Sequence, residues 1–441
     1  MRLHPRAVLR RARARPACWA RLGKGTSLDQ LQPVRGTHDV LPEQNRQHRR
    51  IRESARELAE RYGYAEMSTP IFEFTEVFKR TLGETSDIVS KEMYTFPDRS
   101  GDEITLRPEG TAGIARALIS GRLGQSLPLK FFYSGPMFRH ERPQKGRLRQ
   151  FHQVGVELLG VAAPMGDVEV IALADHILEA LGIRGRTQLE LNTLGDSESR
   201  AAYREVLVAY FTGHRDRLSE DSLQRLERNP LRILDSKDKG DREVVAGAPV
   251  FGDYLTDEAR AFFDQVRAGL DDLGLVYQIN PRLVRGLDYY CHTAFEFTTE
   301  HLGAQGTVLA GGRYDGLIET MGGPPTPGVG WAAGIERLAM MLDAQVPAVK
   351  PVVVIPVGGD VEAEAFKITQ RLRLAGIAAD IGFSGNLSRR MKRANRLGAA
   401  HAVILGSDEL ARETATLRDM ETGAQEEVAL DKLVDRLVQS R

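Results

Sequence analysis

The chain of 441 residues has two cysteines, Cys18 and Cys291, far apart and in no CxxC spacing. That excludes a disulfide framework and a cysteine zinc site, and it fits a reducing compartment. Among ten histidines there is no HExxH pair, so no spacing calls for a structural or catalytic metal. Cys291-His292 reads as a packed strand pair. No run approaches the roughly 18 apolar residues that cross a bilayer, which argues against a membrane span. Charge of neither sign is in excess, since 60 Lys and Arg balance 60 Asp and Glu. A histone-like binder is thereby excluded, and any contact with nucleic acid must come from local basic patches. What is there is ordinary for a soluble globular protein, with 42% hydrophobic and 27% charged residues in a chain long enough for two or three cored domains.

The beginning of the chain stands apart. Its first acid is Asp29, and seven arginines, Lys24 and one tryptophan precede it. Two readings fit: a mitochondrial-type presequence, or a start codon placed too far upstream in a GC-rich bacterial gene, whose random translation yields Arg and Ala. The second is preferred because the rest of the chain looks bacterial in its motifs. Residues 1–28 are expected to be a disordered extension in either case.

From Pro33 the pattern becomes that of a folded protein. Residues 43–62 hold helix formers with apolar positions at Ile51, Ala55, Leu58 and Ala59, and Gly63 ends the helix. Strand-like runs follow at 64–67, 103–106, 130–133, 138–141 and 151–158, with helices near 111–120 and 167–181. Residues 195–275 read as a helical, charged insertion. Strands return at 277–280, 294–298 and 306–310. Gly328 to Gly334 has the glycines of a dinucleotide loop but one residue too many, and no βαβ unit with an acid follows, so it is assigned to strand-to-helix packing. Residues 350–441 alternate strand and helix and end in a hairpin about Glu421-Thr422-Gly423 and a helix. The fold class is α+β: an antiparallel sheet with flanking helices over 29–345, interrupted by the insertion, then a small α/β domain with a mixed sheet.

Residues 131–160 are the most informative segment. They read as one antiparallel hairpin whose second arm alternates Phe151, Gln153, Gly155 and Glu157 on one face with His152, Val154, Val156 and Leu158 on the other. Arg139 and Glu141 share a face of the first arm, and the loop between carries Arg142, Lys145, Arg147 and Arg149. Ionised groups on a mostly buried sheet are costly without a partner or ligand. A guanidinium fork suits phosphate, a phenyl suits a purine, and an amide beside a carboxylate suits a small hydrogen-bonding substrate. An internal ion pair of Arg139 with Glu141 or Glu157 explains one such pair equally well.

The spelling of these segments adds a resemblance. Phe138-Arg139-His140-Glu141 with Arg149-Gln150-Phe151 resembles motif 2 of the class II aminoacyl-tRNA synthetases, and Gln153-Val154-Gly155-Val156-Glu157 resembles its form in the histidyl-tRNA synthetase family. Leu283-Val284-Arg285-Gly286-Leu287-Asp288-Tyr289-Tyr290 and Ala310 to Leu317 look like that family's two histidine-specific signatures. Gly334 to Leu338 looks like motif 3, and Tyr64 to Phe78 like motif 1. The motifs fall in the family's order and cover roughly 31–441.

The resemblance implies a class II catalytic core, a C-terminal anticodon-binding domain, and activation of L-histidine with ATP and magnesium before transfer to tRNA-His. Arg139 would grip the α-phosphate, Arg285 would stand where relatives use a metal ion, Glu141, Arg147 and Phe151 would hold the nucleotide, and Arg337 the γ-phosphate. Glu109, Thr111 and Gln153 would meet the substrate amine, and Glu157 and Tyr290, with Tyr133 and Tyr314, the imidazole. A pocket built on such bonds rejects analogues lacking them by about 10⁴–10⁵, so no editing domain is needed. Glu109 has a second reading as an acid at a helix N-terminus. Arg142, Gln144 and Lys145 would meet the tRNA acceptor end. Arg389, Arg390 and Arg393 lie in a basic run that is either a phosphate contact or a solvated helix face. The insertion, through Asn229 to Lys237, resembles the bacterial form that holds the acceptor arm, and a plain solvated insert fits as well. A homodimer through motif 1 and a cytoplasmic location are expected, or the mitochondrial matrix if residues 1–25 are a presequence. The alternative within this resemblance is the non-catalytic regulatory subunit of ATP phosphoribosyltransferase. That protein lacks the last domain, so residues 351–441, Arg139, Arg285 and Arg337 speak against it.

Overall fold

The computed structural model describes residues 31–83, 88–144, 146–284, 289–303, 306–343 and 346–439. The extension expected at 1–28 lies outside them. Helix α1 (Pro42–Arg61) opens with proline, whose missing N–H costs nothing in the first turn, and buries Ile51, Ala55 and Ala59 along one stripe. It stops where Gly63 takes φ +81° and the Tyr64 amide turns back to the Ala59 carbonyl at 2.9 Å.

The chain continues through β1 (Ala65–Glu66), β2 (Phe72–Phe74), α2 (Thr75–Leu82), β3 (Tyr94–Pro97), β4 (Glu103–Leu106), α3 (Thr111–Ser120), β5 (Leu129–Phe138), β6 (Gln150–Leu159), α4 (Met165–Ala180) and β7 (Gln188–Thr193). Four helices follow, α5 (Ser197–Thr212), α6 (Glu220–Arg228), α7 (Lys239–Ala246) and α8 (Asp257–Asp272). Then come β8 (Tyr277–Ile279), β9 (Cys291–Thr298), β10 (Thr307–Arg313), α9 (Leu317–Thr320), β11 (Gly328–Gly334) and α10 (Ile335–Met341). The principal sheet has the order β1-β5-β6-β11-β10-β9-β7-β8, antiparallel throughout its centre and parallel only at the outer pairs β1/β5 and β7/β8.

Period-two alternation gives this sheet two unlike faces. Val154, Val156 and Leu158 of β6 join Trp331 of β11 in a large core covered by α1, α4, α8 and α10. The opposite face meets α3 and α9 through Phe131, Tyr133, Leu159 and Tyr314, leaving part of its floor open. The hairpin expected at 131–160 forms with register Leu129↔Leu159 through Phe138↔Gln150. Its first arm ends earlier than the strand read at 138–141. Beyond Phe138 the His140 amide leaves the sheet for the Glu92 carbonyl at 2.7 Å, and the Glu141 amide closes a tight turn on Arg139.

Two further units depart from the expectation. The insertion has its own apolar cluster, drawn from residues between Tyr203 and Phe251, whereas α8, read as part of it, buries Val266 and Leu270 in the principal core. A three-stranded sheet, β2-β4-β3, was legible only at β4. Its rows Phe72–Leu106–Tyr94 and Phe74–Ile104–Phe96 share one face, and Phe72, Phe74 and Phe96 are 56%, 60% and 44% exposed there. Phenylalanine side chains paired in this way form an apolar surface that water leaves unsatisfied.

The last unit contains β12 (Val352–Val357), α11 (Glu362–Leu374), β13 (Ala379–Ile381), α12 (Leu387–Arg396), β14 (His401–Gly406), α13 (Ser407–Ala411), β15 (Thr414–Asp419), β16 (Gln425–Ala429) and α14 (Leu433–Gln439). Its sheet, β13-β12-β14-β15-β16, is parallel at the first two pairs and antiparallel at the last two. Helices α11 and α14 cover one face and α12 the other, which is why β12 reads as an unbroken run of apolar residues.

A buried ion pair ties the principal sheet to its helices. Arg313, at the end of β10, bonds both carboxylate oxygens of Asp167 in α4 and the carbonyls of Val161 and Ala163, and both side chains are fully buried. Arg313→Leu would leave the Asp167 charge buried without a partner, at a cost of about 3–5 kcal/mol. The expected result is a large fall in the melting temperature of the principal domain. A shift within that of a surface arginine variant would show that the pair is dispensable.

Candidate active site

The open floor of the principal sheet is made of small residues in register. Tyr133, Gly155, Ala332 and Ala310 lie side by side in one row, and Phe131, Glu157, Gly330, Gly312 and Ala294 in the next. A methyl group at Gly330 would collide with the Glu157 carboxylate, and one at Gly155 with the Tyr133 hydroxyl. The glycines are therefore the space into which two polar side chains fold.

Above this floor is a cavity of about 230 Å³. Its walls bring together Glu109, Thr111, Gln153 and Tyr290 with Arg139, Glu141, Arg147, Phe151 and Arg337, residues from five separate stretches of sequence. Glu157, Tyr133 and Tyr314 form a layer beneath the walls rather than the walls themselves. Glu157 is fully buried, with the Thr111 hydroxyl donating to it at 2.6 Å and the Tyr314 hydroxyl donating to its other oxygen. Burial pushes its carboxyl up to about 8, against the pull of those two hydrogen bonds. Tyr133 and Tyr314 are likewise pushed well above the usual phenol range by burial, with Glu157 next to them adding to it.

Glu109 caps α3 by accepting the amides of Thr111 and Ala112 at 2.7 and 2.8 Å, as its helix-terminal reading foresaw, and it also faces the cavity. Burial raises its carboxyl despite these bonds. Gln153 is different. Its Oε1 is buried and accepts no hydrogen bond among the described residues. A buried acceptor without a donor costs free energy, so Gln153 offers the cavity an acceptor for a donor from outside the protein.

The cationic part of the cavity is organised around one carboxylate. Arg147 donates to Glu141 at 2.9 Å, and Arg139 stands 3.9 Å from the other Glu141 oxygen. Arg139 is aimed by its Nε bond to the Pro108 carbonyl at 2.9 Å and lies over the Phe151 ring at 5.4 Å. Arg337, at the start of α10, has its guanidinium pushed below the usual range by burial and then by Arg147. Arg139, Arg147 and Arg337 thus gather on one part of the wall, and that part is suited to a polyanion.

Several expected residues fall elsewhere. Arg285 and Lys145 lie outside the described residues. Arg142 and Gln144 are exposed, in a turn closed by the Gln144↔Arg147 bridge with Gly146 at φ +75°. On α12, Arg389 is exposed and Arg393 pairs with Asp380 at 2.9 Å. Arg390 must be corrected: it is 6% exposed, its guanidinium bonded to the Pro356 carbonyl and to Glu362, so the basic run is one solvated stripe plus a buried arginine. A helix face cannot be assigned from a run of like residues alone.

Glu336 and Tyr289 were not foreseen. Glu336 accepts the His152 amide at 3.0 Å and lies 2.8 Å from its Nδ1, locking α10 to the covered face of β6 directly behind Gln153. Burial opposes its charge, but these hydrogen bonds outweigh burial and hold its carboxyl below the usual range. With His48 of α1 it forms a group of metal-ligand type, all three atoms within 4.8 Å, although its carboxylate is already engaged by His152. Alternation separated His152 from Gln153, yet nothing in the sequence joins His152 to a residue 184 positions away. Tyr289 lines the cavity and packs on Tyr290 with ring centroids 4.5 Å apart.

An antiparallel sheet with its polyanion cavity on the open face, followed by a mixed-sheet domain, is the architecture of a class II aminoacyl-tRNA synthetase. The family description Histidyl-tRNA synthetase matches residues 36–338, and Anticodon binding domain matches 351–440. The chain is 64% identical over 408 residues to a histidine–tRNA ligase of Rhodospirillum rubrum, covering 92% of this chain and 98% of that one. It is 58% identical over 410 residues to the one from Gluconacetobacter diazotrophicus, covering 93% and 99%. The crystal structure of apo S. aureus histidyl-tRNA synthetase superposes with a TM-score of 0.79 at 37% identity, covering 92% and 99% of the two chains. The chain belongs to the histidyl-tRNA synthetase family. The regulatory-subunit reading is not favoured, since these two curated relatives, matched over nearly their whole length at 64% and 58% identity, are ligases.

The raised Glu157 carboxyl has a consequence for stability. Its folded pKa of about 8 lies above the unfolded value of about 4.3, so between them the folded chain keeps a proton that the unfolded chain has lost. This contribution is complete below pH about 4.3 and disappears as pH rises to about 8. The melting temperature of Glu157→Gln minus that of the wild type should therefore grow between these limits and level off above them. A difference independent of pH would mean that Glu157 is ionised throughout.

Proposed function

We propose that the chain activates L-histidine with ATP and transfers it to the 3′ end of tRNA-His. The observation that carries this is the single cavity in which a buried, undonated Gln153 acceptor with Glu109 and Thr111 adjoins the Arg139, Arg147 and Arg337 cluster. In this reading Gln153, Glu109 and Thr111 take the amino group of histidine. Tyr290 meets the imidazole, backed by Glu157, Tyr133 and Tyr314, because a neutral ring needs one acceptor and one donor. Phe151 and Glu141 hold the adenine. Magnesium accompanies the ATP phosphates and supplies charge neutralisation there.

The activation step forms a bond from a histidine carboxylate oxygen to the α-phosphorus and breaks the bond from that phosphorus to the bridging oxygen of pyrophosphate. Negative charge grows on the α-phosphate oxygens as it proceeds. Arg139 is already fixed by Pro108 and Phe151, so it stabilises that charge without reorganisation. Arg285, by family resemblance, adds a second cation at the same phosphate, and Arg337 receives the γ-phosphate.

Arg142 and Gln144, in the exposed turn beside the cavity, would face the acceptor end of the tRNA with Lys145, and Arg389 of the last domain offers an exposed cation for the backbone. No described helix is long and apolar enough to cross a membrane. A cytoplasmic location is inferred from the bacterial relatives.

Histidine-dependent exchange of pyrophosphate into ATP tests this reading. Exchange is expected with histidine alone among the amino acids and is lost in Arg285→Ala. Gln153→Ala should raise KM for histidine by roughly tenfold, the equivalent of one buried hydrogen bond. A folded, ATP-binding chain without exchange would sink the assignment.

The homodimer is proposed on the apolar face of β2-β4-β3, where Phe72, Phe74 and Phe96 are exposed together. Light scattering should give twice the chain mass for the wild type and the chain mass for Phe74→Asp. A monomeric wild type at micromolar concentration would remove the proposal.

A further inference from the structure

The chain meets the helical insertion on either side of residues 285–288, and β7 of the principal sheet on the near side. On the near side, the Arg282 guanidinium donates to three carbonyls just past or at the end of α7, those of Ala248 at 2.7 Å, Pro249 at 3.1 Å and Ala246 at 3.3 Å. Val284 packs against the insertion's own apolar cluster, and the buried Asn192 amide donates to the Leu283 carbonyl at 2.9 Å. On the far side, Arg200 of α5 donates to the Tyr290 carbonyl at 3.0 Å.

Two residues further on, the chain is pinned again at the root of the insertion. His292 has φ +43°, a left-handed conformation that costs energy for a residue with a side chain. It is kept there by two backbone bonds, its amide donating to Gly195 at 2.8 Å and its carbonyl accepting from Leu194 at 2.6 Å. Between these anchors are Tyr289 and Tyr290, both on the wall of the candidate active site. Tyr289 is shared with a second cavity of about 420 Å³, whose other side is built from Asp196, Ser197 and Arg200. A displacement of α5 is thus passed to Tyr290, and to Tyr289 packed on it, through a charge-assisted bond to a backbone carbonyl.

We propose that Arg200 is a positioning residue through which α5 of the helical insertion sets the placement of Tyr290, and of Tyr289 packed on it, at the amino acid end of the active site. The consequence for histidine rests on the function proposed above; the mechanical coupling does not.

The test uses the full chain carrying Arg200→Met or Arg200→Lys. Hydrogen–deuterium exchange is read over amides 289–294 and, as a control, over β5, together with KM for histidine and for ATP in pyrophosphate exchange. The methionine variant keeps the stem and loses the donor. It is expected to exchange faster over 289–294 with β5 unchanged, and to raise KM for histidine about tenfold while KM for ATP moves less than about twofold. Arg200→Lys, which can still donate, stays near the wild type in both readouts. Unchanged exchange over 289–294 overturns the proposal. Equal rises in both KM values do so too, since they report general loosening. If the wild type shows no histidine-dependent activity, the function is wrong, and the hydrogen-exchange comparison still decides the coupling.

Discussion

The floor of the cavity on the open face of the principal sheet depends on one buried carboxyl group. Glu157 is placed by strand alternation where no water reaches, and a carboxylate there is tolerable only if hydroxyls meet both of its oxygens. Thr111 at the start of α3 supplies one and Tyr314 after β10 the other, so one side chain ties a helix, a loop and the central strand together. The glycines across from it are the steric counterpart, since any larger residue at Gly330 would take the carboxylate's place. Raising the carboxyl to about 8 also keeps it mostly protonated near neutrality, which spares the sheet an uncompensated charge.

The covered face does the opposite work with complementary means. There the Glu336 carboxylate keeps its charge low in pKa because His152 offers it an amide and a ring nitrogen, and the result is a fixed α10 that starts with Arg337. Arg313 and Asp167 hold α4 against β10 in the same way. The His152–Glu336 pair thus fixes the helix that carries Arg337, while Arg139 and Arg147 are placed from the open face by Pro108 and Glu141. Preorganisation of this kind matters for a reaction whose transition state differs from its ground state mainly in where negative charge lies.

The cavity is built on strands and helix starts, but one of its walls is borrowed. Tyr290, with Tyr289 packed on it, is held by Arg200 of the helical insertion, a unit with its own apolar cluster. The wall lined by these tyrosines therefore depends on an element that contributes no side chain to the wall lined by Arg139, Arg147 and Arg337.

Sequence by itself determined the alternation of β6, the stop of α1 at Gly63, the order of strands and helices in the last unit apart from the short α13, and the motif spelling that names the family. Each of these rests on local rules of period, turn chemistry and residue type, which act over a few positions and survive without knowledge of the fold. It did not determine that the strand after Phe138 turns away, that Arg390 is buried among cations that are not, that α8 packs on the principal core, or that His152 meets Glu336. Those were settled by the tertiary structure alone, because a hydrogen-bond partner nearly two hundred residues away and the choice of which face of a helix is buried are properties of packing, and packing is not written in any one segment.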